Sequence, residues 1–154
     1  MTPKLPVSVL VLVHTAAREV LLLERAARPG FWQSVTGSLD RIDEPASGAA
    51  RRELLEETGI DARLQDLRRW PLAYTFEIFP QWRHRFVPGT THNTEQVFSL
   101  ELPARVPVAL APAEHVASAW LPWQEAAAKC FSWSNRDAIR ILGGAAPPHA
   151  PCAR

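Results

Sequence analysis

The chain has little cysteine: among 154 residues only Cys130 and Cys152 carry a thiol. Two thiols cannot build a disulfide framework for a domain of this size, so a reduced, cytoplasmic protein is expected. No apolar run approaches the ~18 residues of a transmembrane helix, so no membrane span is expected. The stretch Leu5–Val13 is apolar but short, and Pro3, Pro6 and a single lysine make a poor start for a signal peptide. A surplus charge of either sign is missing too. Seventeen Lys+Arg against sixteen Asp+Glu leave +1, which offers no basic field to a nucleic acid. That balance still admits a small polyanion, because a metal ion can supply positive charge locally.

What is present is globular composition, with 47% hydrophobic and 21% charged residues. One domain over residues 1–142 is expected, followed by a tail, 143–154 (GGAAPPHAPCAR), whose glycine and proline content reads as disordered. Val7–Val13 and Val20–Leu23 are apolar at nearly every position, which predicts an antiparallel pair of strands covered on both faces. Arg28-Pro29-Gly30 is a turn signal before a short strand, Phe31–Val35. Pro45 to Thr58 has helix grammar, with Gly59 just past its end. Further strands are expected at Ala62–Trp70, Tyr74–Phe79, Glu95–Leu102 and Ser118–Leu121. A helix is expected over Trp123–Phe131, then a last one capped by Ser134. Strands mixed with a few helices predict a layered α/β or α+β domain.

The chemistry concentrates in Gly37–Ile60, GSLDRIDEPASGAARRELLEETGI. At 100° per residue, Glu53, Glu56 and Glu57 share a sector of roughly 100°. Ala46 and Ala49 extend that sector and leave room above it, while Leu54 and Leu55 point elsewhere and can anchor the helix. Like charges one turn apart cost a few tenths of a kcal/mol per pair. Arg52, four residues before Glu56, could offset that, and so could a hard divalent cation bridging the acids. The three glutamates alone do not decide between a solvated face and a metal site.

The wider pattern is more specific. Glu44, seven residues, then Arg52-Glu53-Leu54-Leu55-Glu56-Glu57-Thr58-Gly59-Ile60 resembles the signature of the Nudix hydrolases. One departure is visible: six residues separate Gly37 from Glu44 where the family has five, so that either Glu44 keeps the first acidic position across a bulged loop or Asp43 takes it. The resemblance implies an α/β/α sandwich with a mixed sheet between helices. It also implies a divalent cofactor, usually Mg2+ with Mn2+ able to substitute. By the same resemblance Glu53 and Glu57 are the principal metal ligands, Glu56 is a further candidate, and Arg52 orients the acids.

The blocks Phe31–Ser38, Phe76–Phe79, Arg83–Arg85, Asn93–Glu95, Glu114-His115 and Ser132–Arg136 resemble the branch of that family that cleaves a pterin triphosphate in folate biosynthesis. That likeness implies hydrolysis of 7,8-dihydroneopterin triphosphate to the monophosphate and pyrophosphate. It makes Glu114 the base or a third metal ligand. It places substrate contacts at Lys4, Arg25, Thr36, Phe76, Glu77, Ile78, Phe79 and Ser132. From their chemistry, Arg25 and Lys4 suit phosphate oxygens, and Phe76, Phe79, Trp32 and Trp133 suit the walls of a flat ring. The Arg83-His84-Arg85 run is either a patch for the triphosphate or a solvated loop. Two rival readings remain: a hydrolase of nucleoside triphosphates such as dATP, and a Nudix-fold module that binds a nucleotide or protein without catalysis. Oligomeric state leaves no sequence signal.

Overall fold

A computed structural model describes residues 2–144; the expected disordered segment lies outside them except for Gly143 and Gly144. Ten principal elements follow in order: β1 (Val7–Thr15), β2 (Glu19–Arg25), β3 (Trp32–Gln33), β4 (Val35–Ser38), α1 (Ala46–Thr58), β5 (Arg68–Glu77), β6 (His92–Leu102), β7 (His115–Pro122), α2 (Trp123–Lys129) and α3 (Trp133–Leu142). The strands form one sheet in the order β3-β2-β1-β6-β5, with β4 also pairing β1 and β7 also pairing β2. Strand β1 runs parallel to β6 from Val7↔Thr94 to Thr15↔Leu102, and the other pairings are antiparallel. The sheet is therefore mixed and flanked by helices on both faces, as expected.

The apolar runs explain the centre. Val9 to Val13 and Val20 to Leu23 are all at most 2% exposed, because alternate side chains enter two separate cores. Val9, Val11, Val13, Leu21, Leu23, Phe98 and Leu100 meet Ala49, Ala50 and Leu54 of α1. Leu10, Leu12, Val20, Leu22 and Val97 meet Ala126 and Ala127 of α2 and Ala138 and Ile139 of α3. The expected β1–β2 pair forms, but its register is confined to His14↔Val20. The first half of that edge belongs to β4, from Ser8↔Ser38 to Val11↔Val35. That exchange carries the Thr36–Gly37 segment under α1.

Several sequence expectations shift. Ala62–Trp70 and Tyr74–Phe79 are not two strands; Leu64–Asp66 is a single 3-10 turn and β5 then runs on to Glu77. Its register with β6 breaks between Arg69 and Ala73, where Pro71 has no N–H to give the ladder. Ser132, not Ser134, caps α3, accepting from the Asn135 backbone N–H at 3.2 Å. Ala49 is fully buried in the core and Ala46 packs against it, so these residues do not leave open space. Leu54 anchors α1 with no exposure, which is worth about 2–3 kcal/mol, whereas Leu55 is 46% exposed and anchors nothing. Gly59 ends α1 at φ 75°, in the left-handed conformation that glycine adopts without strain.

Candidate active site

Helix α1 turns two of its acids inward. Glu57 is 1% exposed and Glu53 9%, an expensive placement unless the strand beneath makes room and charge nearby offsets it. Gly37 makes the room: a Cβ on that residue would lie 2.1 Å from the Glu53 carboxyl carbon. Only the absence of a side chain lets the acid rest on the β4 backbone.

Arg52 supplies the charge. Its guanidinium holds both oxygens of Glu44 at 3.1 Å and donates to Glu53 at 2.8 Å and to the Ser38 carbonyl at 3.2 Å. Asp40 at 3.2 Å and Glu56 at 3.7 Å complete the ring. Burial works against the arginine's charge, but the hydrogen bonds it donates to Glu44 and Glu53 outweigh it and keep the group firmly protonated. The extra loop residue is absorbed without displacing Glu44, whose Oε1 accepts the Asp40 backbone N–H at 2.7 Å. Asp43 instead points to solvent and pairs with Arg41 at 3.1 Å. Of the two candidates, Glu44 is the one that Arg52 holds.

Glu57 lies beyond this ring. Burial pushes its proton affinity well above the ordinary carboxylate range. A hydrogen bond with Glu53 and the charges of Glu53 and Glu114 push it further, and a backbone hydrogen bond from Thr36 opposes them. Burial also raises Glu53, against the pull of Glu57 and Arg52. The Glu57 oxygen Oε1 has no hydrogen-bond partner. Ligand atoms of Glu57, Glu114 and His115 lie within 4.8 Å of one another. Glu114 is exposed in the turn leading into β7, and its N–H donates to the Ala111 carbonyl at 2.9 Å. His115 is 4% exposed, with its Nε2 at 3.9 Å from Glu57 Oε1 and its Nδ1 unpartnered. Burial holds this imidazole below its usual value, opposed by Glu114 and aided by Arg25.

A buried, protonation-prone carboxylate with a free oxygen, facing a second carboxylate and an imidazole, fits a hard divalent cation. Glu53, Glu57 and Glu114 are the residues that would hold it, with His115 at their edge. Glu56 shares the helix sector, but its side chain is 52% exposed beside Arg52 and outside that cluster.

Positive charge faces the acids from across the site. Lys4 is tied down by backbone bonds, its N–H to the Arg85 carbonyl at 2.8 Å and its carbonyl to the Val87 N–H at 3.1 Å. Although the residue is exposed as a whole, partial desolvation lowers the proton affinity of its ammonium, as do Arg85 and Arg25, while Glu53 and Glu114 raise it. Arg25 has the same neighbours: burial depresses it first, then Arg85, while Glu57 raises it. The Arg25 guanidinium sits 5.2 Å from the Trp82 ring centroid, and its buried Nε has no partner. Of the Arg83–Arg85 run, Arg85 belongs to this group. Arg83 is spent on Glu77 at 3.3 Å and the Ile78 carbonyl at 3.0 Å.

The remaining expected contacts divide. Thr36 donates to the Val9 carbonyl at 2.9 Å and reaches Glu95 at 3.4 Å. Ser132 lies 3.1 Å from Ser134, which donates to Glu95. Phe76 packs on the α2/α3 core and Ile78 is 4% exposed. Phe79 is 47% exposed, edge-on to Trp82 at 5.1 Å. Glu77 turns to solvent, as alternation from Phe76 and Ile78 requires.

The model of the NUDIX domain matches residues 4–141. The chain belongs to the NUDIX family. This NUDIX domain is 45% identical over 139 residues to dihydroneopterin triphosphate diphosphatase of Escherichia coli, covering 88% of this chain and 91% of that one. It is 35% identical to the enzyme of the same name from Haemophilus influenzae, over 86% and 84%. The solved E. coli dihydroneopterin triphosphate pyrophosphohydrolase superposes with a TM-score of 0.85 at 43% identity, over 92% of this chain and 97% of that one. A Caenorhabditis elegans Ap4A hydrolase shares the fold, with a TM-score of 0.64 at 20% identity, over 90% and 95%. Hydrolases of this family typically depend on a divalent metal, and the acidic cluster of Glu57, Glu114 and His115 agrees with that.

Sequence reasoning missed two features. His115 was visible only as the neighbour of Glu114, and a lone histidine gives no spacing signal. Glu95 was placed only at the start of a strand, with no sign of burial, whereas it is 6% exposed.

Proposed function

We propose that this domain is a Mg2+-dependent pyrophosphohydrolase that cleaves 7,8-dihydroneopterin triphosphate to the monophosphate and pyrophosphate. The observation that carries the reading is Glu57, buried and with an oxygen left unpaired, beside Glu53 and within reach of Glu114 and His115. A group placed at that cost is retained for a charge yet to arrive. The two relatives above supply the substrate class.

A divalent cation bound there would neutralise polyphosphate charge and lower the pKa of a bound water. The chain's own residues do the rest. Arg52 fixes Glu53 and Glu44, and Gly37 fixes the depth of Glu53. Lys4, Arg25 and Arg85 meet the negative tail, Arg25 with a planar fork and Lys4 as a point charge. Glu114, exposed in the turn before β7, would either take a proton from the attacking water or serve as a further ligand to the cation. Thr36, Phe76, Phe79 and Ser132 bound the region left for the ring.

The test is product analysis. Purified protein with Mg2+ and 7,8-dihydroneopterin triphosphate should release pyrophosphate, not three successive orthophosphates. A kcat/KM for dATP well above that for the pterin triphosphate would transfer the assignment to nucleoside triphosphates.

A further inference from the structure

On the face of the sheet opposite α1, β6 buries a second acid that the chemistry above does not use. Glu95 is 6% exposed, and no arginine or lysine pairs with it among the described residues. Its hydrogen-bond partners are two hydroxyls: Ser134 donates to Oε1 at 3.1 Å and Thr36 to Oε2 at 3.4 Å. A carboxylate oxygen accepts two hydrogen bonds, so each retains an open position. Two residues away on the same side of β6, Asn93 is 5% exposed. Its amide nitrogen donates to Ser8 at 2.8 Å, and its Oδ1 has no partner. An orphaned buried acceptor on Asn93, beside a carboxylate with accepting capacity to spare, signals missing donors.

The surroundings say what would bring them. Across the ladder, Tyr74 faces Glu95 and Phe76 faces Asn93. Tyr74 donates to Asp137 and meets Trp133 edge-on at 5.4 Å. The half-buried Thr36, Phe76 and Ser132 border this group. It is an aromatic-walled corner whose unmet capacity is for accepting hydrogen bonds.

We propose that Glu95, assisted by Asn93, sets ring specificity by accepting the paired N–H donors of a 2-amino, ring-NH, oxo heterocycle. Both oxygens of one carboxylate serve two adjacent donors, as in other bidentate carboxylate contacts. The inference rests on the pterin reading above and adds the residue that reads the ring. Burial pushes Glu95 up to about 7, and two incoming N–H donors would favour its ionised form.

The experiment compares kcat/KM for 7,8-dihydroneopterin triphosphate, dGTP and dATP in wild type and Glu95→Gln. Pterin and guanine present the same amino and ring-NH edge, whereas adenine presents one donor and one acceptor, which a carboxamide matches. The variant should lose about 10–100-fold in the pterin-to-dATP ratio and similarly in the dGTP-to-dATP ratio. An equal loss for all three substrates, or none, overturns the proposal. Wild type inert toward the pterin triphosphate but active on dATP overturns the functional reading itself and this inference with it. Should the variant not fold, wild type supplies the same information. Replacing the 2-amino group of the substrate by oxygen should cost about 10–100-fold in kcat/KM, and unchanged turnover overturns the proposal.

Discussion

Two buried acids, Glu57 and Glu95, lie on opposite faces of one sheet, and their surroundings differ in kind. Glu57 stands among charges: Glu53 and Glu114 raise its proton affinity, Arg52 steadies the neighbouring carboxylates, and Lys4, Arg25 and Arg85 face it. Glu95 stands among neutral groups, with Ser134 and Thr36 as its partners. The first arrangement suits an incoming cation carrying a polyanion, and the second suits a neutral ring. Thr36 joins the two faces, since its backbone bonds Glu57 while its hydroxyl bonds Glu95.

The sharpest way to break this contrast is Glu57→Gln. The substitution keeps shape and removes the charge that would hold a divalent ion. A fall in kcat of about 10³-fold is expected, equivalent to ~4 kcal/mol, with an unchanged circular dichroism spectrum. Turnover within a few-fold of wild type would remove Glu57 from the chemistry.

The next effect concerns pH. The folded-state value of Glu95 is raised from 4.5 to about 7, so between those values the native state holds a proton that the unfolded chain has released. Its contribution to stability is complete below about pH 4.5 and is lost as pH rises through 7. The whole span amounts to ~3 kcal/mol. Urea unfolding in EDTA at pH 5 and pH 8 should show wild type losing about 2–3 kcal/mol more than Glu95→Gln. Parallel losses would mean that the carboxyl does not titrate in this range. Glu53 and Glu57 are raised too, which is why the difference between the two proteins is the quantity to read.

Gly37→Ala probes the first face through its backbone. The added methyl would meet the Glu53 carboxyl at 2.1 Å, and displacing a reacting group by about 1 Å costs on the order of 10² in rate. A normal kcat/KM would show that the depth of Glu53 is immaterial.

How much of this was legible in the sequence depends on whether a signal is local. The Arg52–Gly59 pattern, the two apolar strands and the turn at Gly30 follow from neighbouring residues, and each stands where it was expected. The β4 exchange along β1, the bulge at Pro71 and the inward turn of Glu53 and Glu57 depend on residues far apart in sequence. Helical periodicity placed the acids on one sector but could not tell whether that sector faced water or the sheet. The single position without a Cβ, Gly37, decides it. Glu95 was hidden for the same reason: alternation on β6 assigns it a face, but only α3 arriving with Ser134 makes that face an interior.

The smallest effect tests whether the charged face needs an arginine in particular. Arg52 grips Glu44 with two nitrogens while a third contacts Glu53, a fork that an ammonium cannot reproduce. Arg52→Lys keeps the charge and loses the simultaneous contacts. A stability loss of about 1–2 kcal/mol is expected, with a roughly tenfold fall in kcat as Glu53 loosens. The paired variant Arg52→Lys/Glu95→Gln should show the sum of the two single effects, because the groups act on different faces of the sheet and share no partner. A coupling above ~0.5 kcal/mol would mean that the two acid sites communicate through Thr36.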